Sequence, residues 1–205
     1  MSDDPTLDTS DIRRITRSLA EHPERWPEVR DNVKEAFDLW APGWEDQIEP
    51  DKVAPLLAGL QRVAPGVGSA LDVGTGTGRG ARALSEHFPD AAIVGADLSV
   101  PMIREAVAHT PAGGPRYLVG DGSALPFHDG TFDLVSAMNV FLFWDEVRRV
   151  LRPGGYLVVV YTNRADTPIY LPWDEVQGHL SAVGSWDFED GDAGTGTWLL
   201  ARLRT

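Results

Sequence analysis

The chain has 205 residues of near-average composition, 42% hydrophobic and 24% charged, which excludes global disorder and suits one well-filled core. It has no cysteine, so disulfides, thiolate metal sites and cysteine nucleophiles are excluded. A net charge of −13 opposes binding to phosphate backbones and anionic lipid.

No apolar run is long enough for a membrane span, and the acidic start MSDDPTLDTSD lacks the pattern of a signal peptide. A cytoplasmic protein with neither nucleic-acid nor membrane partners is expected. Residues 1–10 read as a disordered tail. Ile12, Ile15 and Leu19 then recur at helical spacing, with Ser10 as N-cap, until Pro23 and Pro27 break the pattern. Val33, Phe37 and Trp40 form a second helical stripe ended by Pro42-Gly43. Val53, Leu56, Leu57 and Leu60 form a third, ending near Pro65-Gly66.

From Ala70 the rhythm changes to short apolar runs alternating with helical segments. Strands are predicted at Ala70–Val73, Ala92–Leu98, Arg116–Val119, Phe132–Met138 and Tyr156–Tyr161. Helices follow four of them, near Gly78–Phe88, Pro101–Ala108, up to Leu151, and Trp173–Val183. The run YLVVVY suits a strand covered on both faces. Such alternation implies an α/β doubly wound parallel sheet. Ser185–Phe188 and Thr197–Leu203 flank EDGDAGTG and read as an antiparallel hairpin closing it.

Three strand ends carry candidate chemistry. In LDVGTGTGRG, Gly74, Gly76 and Gly78 let the backbone approach a ligand closely, ahead of a helix N-terminus. Gly76 to Ala81 formally matches a dinucleotide loop, but Asp72 would face a pyrophosphate unfavourably and would suit a cationic amino-acid end. Asp97 ends the second strand, where a carboxylate can accept from two ribose hydroxyls. Leu98 can pack beside an adenine. In GDGSALPF, Asp121 can accept from an adenine amino group, with Gly122 and Ser123 nearby.

With LDVGTGTGRG, VGADLS, GDGSALPF, FDLVSAMNV and VLRPGGYLVVV in this order, the chain resembles class I S-adenosylmethionine-dependent methyltransferases. It is most similar to their small-molecule, ubiquinone/menaquinone-biosynthesis branch. The resemblance covers roughly Val53 to Thr162, and more loosely the final hairpin. It implies a Rossmann-like seven-stranded sheet with a reversed C-terminal strand, plus N-terminal helices: a lid over 11–64 and a cofactor-binding core over 65–205. It implies that Asp72 and the backbone at Gly74, Thr75 and Gly76 hold the methionine part of the cofactor, that Gly78 belongs to the same cofactor-binding loop, and that Asp97 and Leu98 hold the ribose and adenine. Asp121, Gly122 and Ser123 would take the adenine edge, and Met138 and Asn139 would lie near the reacting methyl.

The chain departs from this family after Asn139, where FLFWDEVRRV replaces a longer loop and helix and Phe141 and Phe143 stand in place of a histidine pair. The five histidines do not cluster, so no general base is assigned. Trp40, Trp44, Tyr161 and Tyr170 are candidate substrate-facing aromatics, and Phe37 is read as packing. The expected activity is methylation of a small metabolite or natural-product intermediate by a monomer or homodimer without metal. Alternatives are a non-catalytic S-adenosylmethionine-binding protein, a methyltransferase of protein or nucleic acid, and a nicotinamide oxidoreductase.

Overall fold

A computed structural model describes residues 7–47 and 49–205. Eight α-helices and seven strands are found among them: α1 Thr9–Glu21, α2 Trp26–Trp40, α3 Trp44–Gln47, α4 Ala54–Leu60, β1 Ser69–Val73, α5 Arg79–His87, β2 Ala92–Asp97, α6 Val100–Ala108, β3 Arg116–Val119, β4 Phe132–Met138, α7 Trp144–Val150, β5 Leu151–Tyr161, α8 Trp173–Val183, β6 Trp186–Ala193 and β7 Gly196–Leu203.

The strands form one sheet in the order β3-β2-β1-β4-β5-β7-β6. The first five are parallel, and β7 runs antiparallel to both β5 and β6. This is the expected seven-stranded sheet with its reversed last strand. The chain winds outward from β1 to β3, then returns to the other side of β1 at β4. The crevice beyond the carboxyl ends of β1 and β4 is therefore the topological switch point, where ligands bind in such sheets.

The apolar runs alternate between the two faces as a strand period of two requires. Leu157 and Val159 of β5 join Leu71, Val135 and Leu199 under α7 and α8. Val158 and Val160 face the other way, with Leu134 and Leu200, against Leu56, Leu60 and Leu84 of α4 and α5. A third cluster joins Ile12, Ile15, Leu19, Trp26 and Val33 to Phe141 and Ile169. It fastens α1 and α2 beside the carboxyl ends of the strands. Helix α4, grouped by sequence with the N-terminal extension, instead packs on the sheet.

The boundaries differ from expectation in several places. Most of the expected tail lies outside the described residues, but Thr9 and Ser10 are already helical. The cap of α1 is Asp8, not Ser10: its carboxylate accepts from the Ser10 and Asp11 N–H groups, and the Asp11 carboxylate accepts in return from the Asp8 N–H. The first helix ends at Glu21, just before Pro23, whereas Pro27 lies in the first turn of α2, where no N–H is needed. The fifth strand begins at Leu151, ahead of Tyr156, with the RPGG stretch absorbed by a register shift opposite Phe132 and Leu134. Strand β6 runs on through EDGDA, because the β7 ladder supplies its backbone partners and its acids are solvent-exposed along an edge strand.

Candidate functional site

A cavity of about 390 Å³ opens at the switch point. Its floor is the turn after β1. Gly74 and Gly76 adopt φ of +63° and +53°, which side chains other than glycine's rarely tolerate. A Cβ on Gly74 would lie 2.2 Å from Val140, whereas one on Gly76 would meet nothing within 4 Å. Gly74 is thus glycine for packing, and Gly76 leaves its backbone open to the cavity.

Asp72 braces this turn from beneath. It is buried, and accepts hydrogen bonds from the hydroxyls of Thr75 (2.6 Å) and Ser136 (2.6 Å). Loss of water raises its pKa to about 6, against the hydroxyl donors. Gly80 must be glycine here, since a Cβ would lie 2.7 Å from the Asp72 carboxylate oxygens. Asp97, at the end of β2, accepts from the N–H groups of Gly76 (2.8 Å) and Ser99 (2.9 Å). Burial pushes its pKa up, backbone donors oppose this, and nearby Asp38 adds to the rise. Each oxygen keeps a lone pair for a ligand donor.

The structure brings Gly74, Thr75, Gly76, Asp97, Leu98, Gly122, Met138, Asn139 and Trp44 together around the cavity. It places other candidates elsewhere. Asp72 lies beneath the turn, and Gly78 packs against Tyr117 and Ala106. Ser123 donates to Asp121 and, like it, is not part of the wall. Trp40 stacks at 6.0 Å on Trp44 and at 5.2 Å edge-on to Phe37, outside the lining. Tyr161 is buried in the core, stacked on Trp173, with Tyr170 at its edge. Burial raises the pKa of Tyr161.

Several lining residues had no strong sequence signal. Phe37, read as packing, faces the cavity beside Val33 and Lys34. Trp26 also lines it, packs edge-on to Phe143, and donates its indole N–H to both Asp121 oxygens at 2.9 and 3.1 Å. The segment after Asn139 keeps a helix, α7, and its Phe141 and Phe143 form part of the wall.

Asn139 has φ of +53°, unusual for a residue with a side chain. It is held there from three directions. Its N–H donates to the Val160 carbonyl, its amide donates to the Thr162 hydroxyl, and its amide oxygen accepts from the Thr162 N–H. Asn163 continues this polar strip to Lys52, whose ammonium donates to the Asn163 oxygen at 2.7 Å. On the other side Glu45 of α3 receives the Thr77 hydroxyl and the guanidiniums of Arg79 and Arg82, tying the N-terminal segment to the glycine turn.

Residues 71–159 match the family described as methyltransferase domain. That stretch of the chain is similar to a methyltransferase domain. It is 34% identical over 181 residues to the malonyl-[acyl-carrier protein] O-methyltransferase of Methylococcus capsulatus, covering 82% of this chain and 64% of that one. It is 46% identical over 99 residues to the demethylmenaquinone methyltransferase of Thermus thermophilus, covering 44% of this chain and 45% of that one. A Streptomyces fradiae 23S rRNA (guanine(748)-N(1))-methyltransferase is 41% identical over 122 residues, 55% of this chain and 42% of its own. The chain thus spans under two thirds of the length of these relatives. Among solved structures, a SAM-dependent methyltransferase of Aquifex aeolicus superposes with a TM-score of 0.64 at 18% identity, over 80% of this chain and 98% of its own. That likeness establishes the fold.

Proposed function

We propose that the chain is an S-adenosylmethionine-dependent methyltransferase acting on a small molecule, a metabolite or natural-product intermediate. The observation that carries this reading is the Asp97 carboxylate beside the open Gly76 backbone, in a cavity that continues past Asn139 to an aromatic wall. The fit to the cofactor is good on this chain's own residues. Asp97 presents acceptors for ribose hydroxyls, the Gly74–Gly76 turn leaves backbone exposed, and Leu98, Met102 and Phe143 supply apolar surface.

S-adenosylmethionine supplies an electrophilic methyl group when bound. In this reading the glycine turn, Asp97 and Leu98 fix the cofactor, and Asp121 takes the adenine amino group once the Trp26 indole gives up that carboxylate. Val140, Phe141 and Phe143 exclude water from the reacting end. Asn139, held from three directions, fixes the wall where the acceptor docks. Alignment and desolvation are the main contributions available to such a wall. The net charge of −13 and the aromatic lining favour a small acceptor over RNA.

Titration calorimetry with S-adenosylmethionine, S-adenosylhomocysteine and NADH tests the reading. The two sulfur compounds are expected to bind, and Asp97→Ala to lose about 30- to 1,000-fold in affinity. Binding of NADH alone would overturn it. Binding of the sulfur compounds without transfer of labelled methyl to any compound of a metabolite extract would favour a non-catalytic binding protein.

A further inference from the structure

Beyond the glycine turn and Asp97, the cavity wall has two characters. Phe37, Trp44 and Phe141 are aromatic, while Asn139, Thr162, Asn163 and Lys52 form a continuous polar strip. The Lys52 side chain is 16% exposed. Its ammonium is anchored by two neutral acceptors, Asn163 at 2.7 Å and the Thr195 hydroxyl at 3.0 Å. Its third partner is the carboxylate of Glu49 at 3.3 Å, on a side chain 71% exposed. A cation is thus built into the wall and balanced from the solvent side by a group that an incoming anion can replace.

The same wall offers little to remove a proton. Among the described residues no histidine lines the cavity, and the lining carboxylates are Asp97 and Glu49. Asp97 is bound by two backbone N–H groups, and Glu49 is paired with Lys52. A neutral hydroxyl or a protonated amine must lose a proton to be methylated. An acceptor already ionised at neutral pH need not.

We propose that the acceptor is a small apolar molecule carrying a single carboxylate, held by the Lys52 ammonium in place of Glu49; this rests on the methyltransferase reading above. A carboxylate oxygen lone pair forms the bond to the methyl carbon as the carbon–sulfur bond breaks. The bond pair stays on sulfur. The sulfonium and carboxylate charges cancel, a methyl ester and a thioether result, and no proton is released. Lys34 and Arg79 also line the cavity but are paired with Asp38 and Glu45, so the charge an incoming anion can take up is that of one ammonium, which suits a single carboxylate better than a phosphate monoester that calls for more donors.

The test is binding to protein loaded with S-adenosylhomocysteine, followed by methyl transfer from labelled S-adenosylmethionine. Phenylacetate, hexanoate and octanoate are compared with their amides and alcohols. At least one acid is expected to bind about tenfold or more tighter than its amide and alcohol, and to yield its methyl ester. Lys52→Gln should abolish that preference, Lys52→Arg should keep most of it, and Glu49→Gln should strengthen acid binding. The proposal is overturned if no acid binds the loaded protein, if amides or alcohols bind equally, or if the preference survives Lys52→Gln. Failure to bind S-adenosylhomocysteine at all would instead overturn the methyltransferase reading itself.

Discussion

Asp72 carries its ionisable group inside the protein. Its pKa in the fold, about 6, lies above the exposed value of 3.8 because burial disfavours the charge. The stability it contributes is therefore full below about pH 4 and is lost as pH rises toward 6. Asp72→Asn cannot ionise, and its amide oxygen still accepts from a hydroxyl. Relative to wild type the variant is expected to gain about 2 kcal/mol between pH 4 and pH 6, read by urea unfolding at the two values. A difference that does not change with pH would show that this carboxylate is not the titrating group. The sequence made Asp72 conspicuous as an acid before a glycine turn. It could not show that the side chain points down at Ser136, which is 64 residues away in the chain.

At the scale of elements, the turn between β1 and α5 separates two uses of glycine. Gly74→Ala would press its Cβ into Val140 and is expected to cost about 1–3 kcal/mol of stability from overpacking, besides its left-handed backbone. Gly76→Ala meets no neighbour, so only the backbone penalty of about 1–2 kcal/mol applies to folding. If the cofactor lies on this backbone, Gly76→Ala should also lose about tenfold or more in S-adenosylhomocysteine affinity. Thermal melts and calorimetry on both variants check the contrast. Equal cofactor affinity for Gly76→Ala and wild type would move the cofactor off this turn. The element pattern itself was legible, since strand and helix periodicities are local. The length of β5 and of β6 was not: RPGG fell between a predicted helix and strand and EDGDA in the predicted hairpin connection, and pairing partners far along the chain drew both into strands.

Across the whole molecule, the site is shared between the sheet and the N-terminal helices. Trp26, Val33, Lys34 and Phe37 of α2 and Trp44 of α3 complete a wall that the strand ends begin. Glu45 joins the two halves through Thr77, Arg79 and Arg82, with its side chain 17% exposed. Glu45→Ala removes a carboxylate that charged partners share, at a cost of about 1.5–3 kcal/mol to that attachment. Amides of residues 26–47 should then exchange faster by hydrogen-exchange mass spectrometry while those of β1, β4 and β5 stay protected. Unchanged exchange in 26–47 would mean that the apolar cluster of α1 and α2 with Phe141 and Ile169 holds the segment by itself.

The sequence by itself determined the wound sheet, the glycine turn and Asp97 at the end of β2, because each depends on neighbours a few residues away. Periodicity sets which face of a strand is buried, and glycine and aspartate declare their turns locally. The tertiary structure decided which aromatics face the cavity. Phe37 and Trp40 lie on one helical stripe, yet Phe37 lines the cavity and Trp40 does not. It also decided that Trp26 would sit on Asp121 and that Lys52 would reach Asn163, contacts spanning 95 and 111 residues of chain. Side-chain partners at that separation are set by how the elements pack, and no local pattern encodes them.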